Sequence, residues 1–398
     1  MESRYKISDK DYYALISWIF KVLRFSCLVL IAVTVILSLT VYKSDITSEN
    51  LKYIIRNMDF DVSSVSAVDS MQVSFKTSGN VSAAYLRGDI ALLSRQGYET
   101  YDFNGTRVIS DTHSFSNPAL KTSERFALAY DVAGTELDIY NAFSVVYEGK
   151  FPNGIYNACI NNDGSFAVVT SESSYKSGVV VYNSSFNEIF RWMSASQNVT
   201  CVDMPNSKNE LLTAGVRVEN GEFLTEVNIF DTSKETPKAT VTLADEFPMV
   251  AEYTENGFFV LTDSAMNVFD KDGKLLKRNE LAKGSVRKYF NCNRFCAVTV
   301  SEGISDAETL IIYSENGNEA YSETFERGIL DVSAFGNTVY ILEQGRLNFR
   351  NVIFRSGEPE LKPKNVSDIP VDTLITRVFA SGTDEYILMS PNGAGKYR

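Results

Sequence analysis

One histidine, His113, serves the whole chain of 398 residues, and there are two tryptophans and five cysteines. A histidine-rich zinc centre is excluded, and so is a Ser-His-Asp triad built anywhere but around that single imidazole. Basic residues are also in deficit, 38 Lys and Arg against 50 Asp and Glu, leaving a net charge of -12. Nucleic acid is a poor partner for such a chain, because a phosphate backbone is gripped by clustered cations that release its counterions. What the chain has in quantity is aromatic surface. Its 25 Phe and 21 Tyr rule out disorder, since an unfolded chain carries too few apolar groups to form a core.

The only long hydrophobic run lies near the start. Phe25 to Tyr42 reads FSCLVLIAVTVILSLTVY, without a charge, and an apolar lead-in reaches back to Ile16. At 1.5 Å per residue the uncharged part extends roughly 27 Å, so residues 16–42 are expected to form a transmembrane helix. A cleaved secretory signal would end at a small-x-small site, whereas this run exits through Leu-Thr-Val-Tyr-Lys. Residues 1–24 hold five basic and three acidic side chains, so the positive-inside rule makes them a cytoplasmic tail. The expectation is a single-pass protein of the cell membrane whose acidic remainder is extracytoplasmic. Residues 43–69 read as a juxtamembrane linker, with Leu51, Ile54, Ile55 and Met58 marking a short amphipathic helix over 48–58.

From residue 70 the periodicity is two. An aromatic followed by a polar residue closes a β-like run at Tyr101-Asp102, Tyr140-Asn141, Tyr182-Asn183, Phe230-Asp231, Phe269-Asp270 and Tyr313-Ser314, with a degenerate seventh at Phe349-Arg350. The intervals are 39, 42, 48, 39, 44 and 36 residues. Turns such as Asn104-Gly105, Asp272-Gly273 and Asn316-Gly317 follow the aromatics, and a second series precedes them at Gly88-Asp89, Asp163-Gly164, Asn256-Gly257 and Gly336-Asn337. Two hairpin turns per forty residues imply four antiparallel strands per unit. The fold class is all-β, a β-propeller of four-stranded blades over residues 70–398. Eight blades are favoured and seven are the alternative, depending on whether SMQVSFKTS at 70–78 joins LITRVFA and EYILMS in a closing sheet.

These units resemble WD40-like and quinoprotein-like propellers. More closely, the anchor together with NPALKTSERFALAYD and IYNACINNDGSFAVVTSESSYKSGVVVYN resembles a family of uncharacterised bacterial membrane-anchored proteins with a propeller-like extracytoplasmic region. The resemblance covers residues 70–390 and brings no chemistry with it. Quinoprotein likeness would imply a redox cofactor held by adjacent cysteines, a stacking tryptophan and a calcium-binding carboxylate, but the chain has no vicinal cysteines and only Trp18 and Trp192, so no cofactor is expected. Sialidase Ser-x-Asp-x-Gly-x-Thr-Trp boxes are missing too.

Other motifs have plain readings. Asp270-Lys271-Asp272-Gly273 begins like a calcium loop but continues into KLLKRNE, and reads better as a hairpin turn. Cys292 and Cys296 flank Asn293-Arg294, a spacing compatible with a disulfide or with two thiols, and too few ligands for zinc, so no metal is expected. Arg87-Gly88-Asp89 and the Asn-x-Ser/Thr triplets at Asn80, Asn104, Asn183, Asn198 and Asn365 read as turn chemistry and as chance on a polar surface.

Three connections between the second and third strands look extended: Ser171 to Gly178, Val218 to Phe223, and Ser301 to Glu308. Propellers bind on that rim, so Glu172, Tyr175, Lys176, Glu219, Glu302 and Asp306, with Glu308, are the candidate partner-binding residues. With no catalytic constellation visible, the chain is expected to be a non-catalytic protein-interaction scaffold for another envelope or secretion protein. A small-molecule or glycan-binding sensor at the channel mouth is the alternative, and an enzyme with a dispersed carboxylate site ranks third. Two facing carboxylates in a deep pocket, one with a raised pKa, would favour that third reading.

Overall fold

In the computed structural model, described for residues 17–18, 20–33, 52, 71–75, 81–206, 209–292, 295–301, 306–355, 358–363, 368–382 and 384–398, the second strand of each repeat is apolar on both faces. Its residues alternate between two neighbours. Ala127 and Ala129 pack toward the preceding repeat, Leu128 and Tyr130 toward the following one. Phe258 and Val260 divide from Phe259 and Leu261 in the same way. A strand with two buried faces needs a sheet on each side of it, and a closed ring of sheets supplies that for every member.

The ring has eight four-stranded blades with strands A to D running outward from the axis. Blades 1 to 7 span residues 82–112, 118–150, 155–194, 198–244, 248–280, 286–325 and 329–363, and blade 7 carries a short extra strand, Ile369–Pro370. Blade 8 takes strands A to C from Arg377–Gly382, Glu385–Ser390 and Gly393–Tyr397. Its strand D is Met71–Ser74, from the other end of the domain. The closing strand pairs antiparallel with strand C from Met71↔Lys396 to Ser74↔Gly393, as expected of SMQVSFKTS. Eight apolar clusters fill the eight junctions between blades.

The aromatic-polar repeat has a two-part cause. Tyr101, Tyr140, Tyr182, Phe230, Phe269 and Tyr313 all lie at the end of strand C and face the preceding blade. A bulge sits at five of them, between Thr100/Tyr101, Ile139/Tyr140, Val181/Tyr182, Val268/Phe269 and Ile312/Tyr313. The polar residue that follows caps the C–D turn. Asp102 accepts the N–H groups of Asn104 and Thr106, Asn183 those of Ser185 and Asn187, and Asp270 those of Asp272 and Lys274. The Asp270 contacts account for the calcium-like spelling as a turn.

Two positions read from the repeat need correction. At the seventh unit the residue facing back toward blade 6 is Arg350, which makes a bidentate ion pair with Glu323 at 2.8 to 3.0 Å, while Phe349 faces Tyr386 of blade 8. The anchor position therefore lies one residue later than Phe349, and a charged pair replaces the aromatic. Tyr397, opposite Tyr386, supplies an eighth anchor. The first hairpin of blade 1 turns at Arg87 and Gly88, with φ of 49° and 95°, rather than at Gly88-Asp89. Asp89 instead opens strand B and is buried, which removes an adhesion role for Arg87-Gly88-Asp89.

The chain divides into two compact units, 1–64 and 65–398. In the first, residues 20–33 are helical, and Phe20, Leu23, Phe25, Leu30 and Ile31 are exposed. Among the described residues no helix is long and apolar enough to cross a membrane. Residues 34–42 of the expected span, and all of the expected 48–58 helix except residue 52, lie outside the described residues.

Candidate functional site

A four-stranded meander fixes which loops share a rim. B–C loops and the D–A links between blades lie on one face of the ring, with A–B and C–D turns on the other. All three connections singled out from sequence are B–C connections, those of blades 3, 4 and 6. Their structures differ.

In blade 3, residues 171–176 form a true loop. Glu172 is turned inward, its carboxylate accepting from the Thr170 hydroxyl and the Asn153 amide at 3.0 Å, so it braces the loop instead of presenting a free charge. Tyr175 and Lys176 are exposed. In blade 4 the expected loop is absent. Strands Glu210–Glu219 and Glu222–Asp231 run ten residues each and close on Asn220 and Gly221, with φ of 53° and 86°. Such a pair of positive φ angles is what a two-residue hairpin demands, and Asn-Gly is the dipeptide that meets it. Glu219 is ion-paired with Arg217 at 3.0 Å, and Arg217 also holds Glu226. In blade 6, Asp306 is exposed, and Glu308 ties blade 6 to blade 7 by accepting from the Lys288 ammonium and the Ile329 N–H. Glu302 lies outside the described residues. The tight turn of blade 5 separates this loop from the other two, so the structure brings together the blade 3 and blade 4 elements only.

Sequence reading missed the apolar component of this rim. At the hairpin tip Val218 and Phe223 are 62% and 60% exposed. Phe247 and Met249, on the link into blade 5 and the start of its strand A, are exposed as well, and so are Tyr156 and Tyr175 of blade 3. Six large apolar or aromatic side chains are thus exposed on one face of three consecutive blades. The available signal was Asn220-Gly221 between two alternating runs, which specifies a projecting hairpin and not an acidic loop.

On the opposite rim, a cavity of about 1140 Å³ is framed largely by the A–B turns of blades 2 to 7. Six acidic side chains line it, and two of them, Asp203 and Glu252, have a pKa that burial raises. Asp203 accepts the Tyr253 N–H at 2.7 Å, and Glu252 accepts from the Tyr289 hydroxyl at 2.6 Å and the Asn291 amide at 2.9 Å. Burial, with the charge of Glu252 next, pushes Asp203 up to about 7; burial also raises Glu252, against the hydrogen bonds it accepts. The Asp203 contact is one of several that join neighbouring A strands: Asp331 accepts the Val378 N–H, and the Asn157 amide donates to the Thr200 carbonyl. Asp203 therefore has a structural task between blades 4 and 5. All four cysteines of the propeller, Cys292 and Cys296 among them, are buried free thiols.

Two solved structures show the same fold. BamB from Moraxella catarrhalis is 12% identical, with a TM-score of 0.53 over 83% of this chain and 100% of that one. Sqt1 from Saccharomyces cerevisiae is 8% identical, with a TM-score of 0.51 over 78% of this chain and 92% of its own. No curated protein matches the sequence. The profile of DUF5711, a family of unknown function, matches residues 60–396, and the chain belongs to that family.

Proposed function

We propose that this member of a family without known function is a membrane-anchored, non-catalytic propeller that docks another envelope or secretion protein on its B–C rim. The observation that carries the reading is the exposed apolar set on blades 3 to 5, centred on the projecting Val218–Phe223 hairpin. A rigid ring holds this surface, so binding it costs little ordering entropy. Glu219, Glu222 and Glu226 flank the apolar tip against the single Arg217, so the margin is net acidic and the complementary partner surface is apolar with a basic margin. Anchoring is supported by the charge-free run 25–42 and by the helix at 20–33, whose residues 25–33 carry no charge and are exposed. The basic excess before it argues for an extracytoplasmic propeller. A photo-crosslinking residue placed at Phe223 in intact cells tests the docking reading: it should trap one defined partner that the same residue at Asp163, on the other rim, does not. Identical capture patterns from both positions would sink it.

The Asp203–Glu252 cavity favours a second reading, a small polar ligand bound at the channel mouth. The pair resembles the raised carboxylates of an acid-base site, but the Asp203–Tyr253 bond and the Tyr289 and Asn291 donors give both groups structural partners. A library of glycans and polar metabolites that shifts the melting temperature of the wild type but not of Glu252→Gln would support it.

A further inference from the structure

Blade 1 and blade 2 meet at a group of ionisable side chains that the docking surface does not use. Asp111 lies near the end of strand D of blade 1, His113 in the link that follows it, and Asp138 midway along strand C of blade 2. One donor atom from each falls within 4.8 Å of the others. His113 Nδ1 and Asp138 Oδ2 are 3.9 Å apart, and the side chains are 7% and 14% exposed. The Tyr140 hydroxyl donates to Asp111 Oδ2 at 2.7 Å and fixes that carboxylate.

The imidazole is the anomaly. The His113 side chain is more than nine-tenths buried and stacked on Phe115 with ring centres 3.8 Å apart, yet neither ring nitrogen makes a hydrogen bond of normal geometry. Burial lowers its pKa, against the carboxylates of Asp111, Glu136 and Asp131 and the Ser94 carbonyl. A buried imidazole normally spends both nitrogens on partners, because an unmade hydrogen bond in the interior is costly. Here the open nitrogens sit among carboxylates. Asp138 is also directly opposite Glu148 across the sheet, a like-charge pairing that disfavours the ionised pair unless a cation intervenes.

We propose that Asp111, His113 and Asp138 bind a divalent transition-metal ion of the zinc class, which clamps blade 1 to blade 2. Two carboxylate oxygens and one imidazole nitrogen form a borderline donor set. Thiolate-seeking ions find no sulfur in it, and magnesium and calcium prefer oxygen throughout. Three protein ligands leave the remaining coordination to solvent. At metal bonds of about 2.0 to 2.1 Å, donors around a tetrahedral ion stand about 3.4 Å apart, so side-chain rotations that bring the donors together by up to about 1.4 Å close the set. Tyr140, through its bond to Asp111, is the positioning residue. Composition argued against a histidine-rich centre, and it still does; a mixed site needs only one imidazole.

Because His113 is the only histidine, a histidine-specific signal reads this site alone. The full-length chain, untagged, in detergent and labelled at histidine, is titrated with ZnCl₂ while the imidazole resonance is followed by NMR and the melting temperature is recorded. The expected result is a shift that saturates at one equivalent, a rise in melting temperature that EDTA reverses, and at least tenfold weaker binding in Asp111→Asn and Asp138→Asn. Asp163→Asn should bind as the wild type does. A wild-type resonance unmoved by excess Zn²⁺ overturns the proposal without reference to any variant. Equal binding by the wild type and both Asn variants overturns it as well, and a stronger response to Mg²⁺ than to Zn²⁺ overturns the class of ion.

Discussion

Val218 and Phe223 stand directly opposite each other across the blade 4 hairpin, one pair inside the Glu219–Glu222 rung that closes it, and each leaves more than half of its surface in solvent. A cross-strand apolar pair normally gains by packing against a sheet or a core. At the tip of a projecting ribbon this pair has only itself, which is why its exposure reads as a surface awaiting a partner.

Substituting Val218→Glu and Phe223→Glu together should abolish partner capture and leave the fold intact, since each exposed change costs about 0.5 kcal/mol or less. Co-purification from detergent extracts measures capture, and thermal melting measures the fold. Charge reversal at Asp163, Glu255 and Asp272 on the opposite rim should leave capture unchanged. If those reversals abolish it equally, partners sense the overall acidity and not the hairpin.

Ring closure depends on the strand Met71–Ser74 and on Phe75 just beyond it, where Val73 and Phe75 fill the junction between blade 8 and blade 1. Phe75→Ala should destabilise the domain by about 3 to 5 kcal/mol, the range for truncating a buried aromatic. Unfolding in denaturant measures this. A variant as stable as the wild type would mean that the Phe75 side chain adds nothing to the closing junction.

The turn-capping residues give a smaller effect. Asp270→Ala removes two hydrogen bonds to backbone N–H groups at an exposed turn, so a loss of about 1 to 2 kcal/mol is expected. Asp270→Asn keeps the accepting oxygen and should recover most of it. No difference between the two variants would assign the turn's stability to Gly273 alone.

Much of the fold was legible because a blade repeats two local requirements. An aromatic must fill the junction behind strand C, and an Asp, Asn or Ser must cap the turn after it, so Tyr101-Asp102 and Phe269-Asp270 look alike in sequence. Arg350 was illegible for the same reason: its ion pair with Glu323 satisfies the junction by different chemistry, and the neighbouring Phe349 drew the register one residue off. The rim was harder. Glu172 and Glu219 are acidic in sequence, but whether a carboxylate is free depends on Asn153 and Arg217 lying beside it, which strand lengths decide. His113 beside Asp138 is a contact between blades, 25 residues apart along the chain, with no local signature.

Membrane orientation can be tested directly. Protease added to intact protoplasts should digest residues beyond 43 and leave the 1–24 tail protected, as the basic flank predicts. Antibodies to each end, used on immunoblots before and after permeabilisation, read the outcome. A fully protected propeller would reverse the orientation.

The last prediction concerns pH. Asp331 is buried and its pKa is pushed up to about 6, mainly by burial. The N–H groups of Val378 and Val332, Arg377 and Lys288 all oppose the rise. Asp203 is raised to about 7 by burial and by Glu252, against the N–H groups of Tyr253 and Met204 and against Lys121. An unfolded aspartate titrates near about 3.9, so above that pH the unfolded chain has released protons that the folded chain still holds. Stability from these two groups is therefore fully present below about pH 4 and is lost as pH rises through 6 and 7. Glu188, held low by Arg191, acts in the opposite sense, so the test is a difference between proteins. Asparagine at either position retains an oxygen for the neighbouring N–H but carries no proton to lose. The melting temperature of Asp331→Asn minus that of the wild type should increase from pH 5 and level off above about pH 6, and the increase for Asp203→Asn should continue about one pH unit further. A difference that stays flat, or falls, across that range would show that these carboxyls ionise in the folded ring as readily as in the unfolded chain.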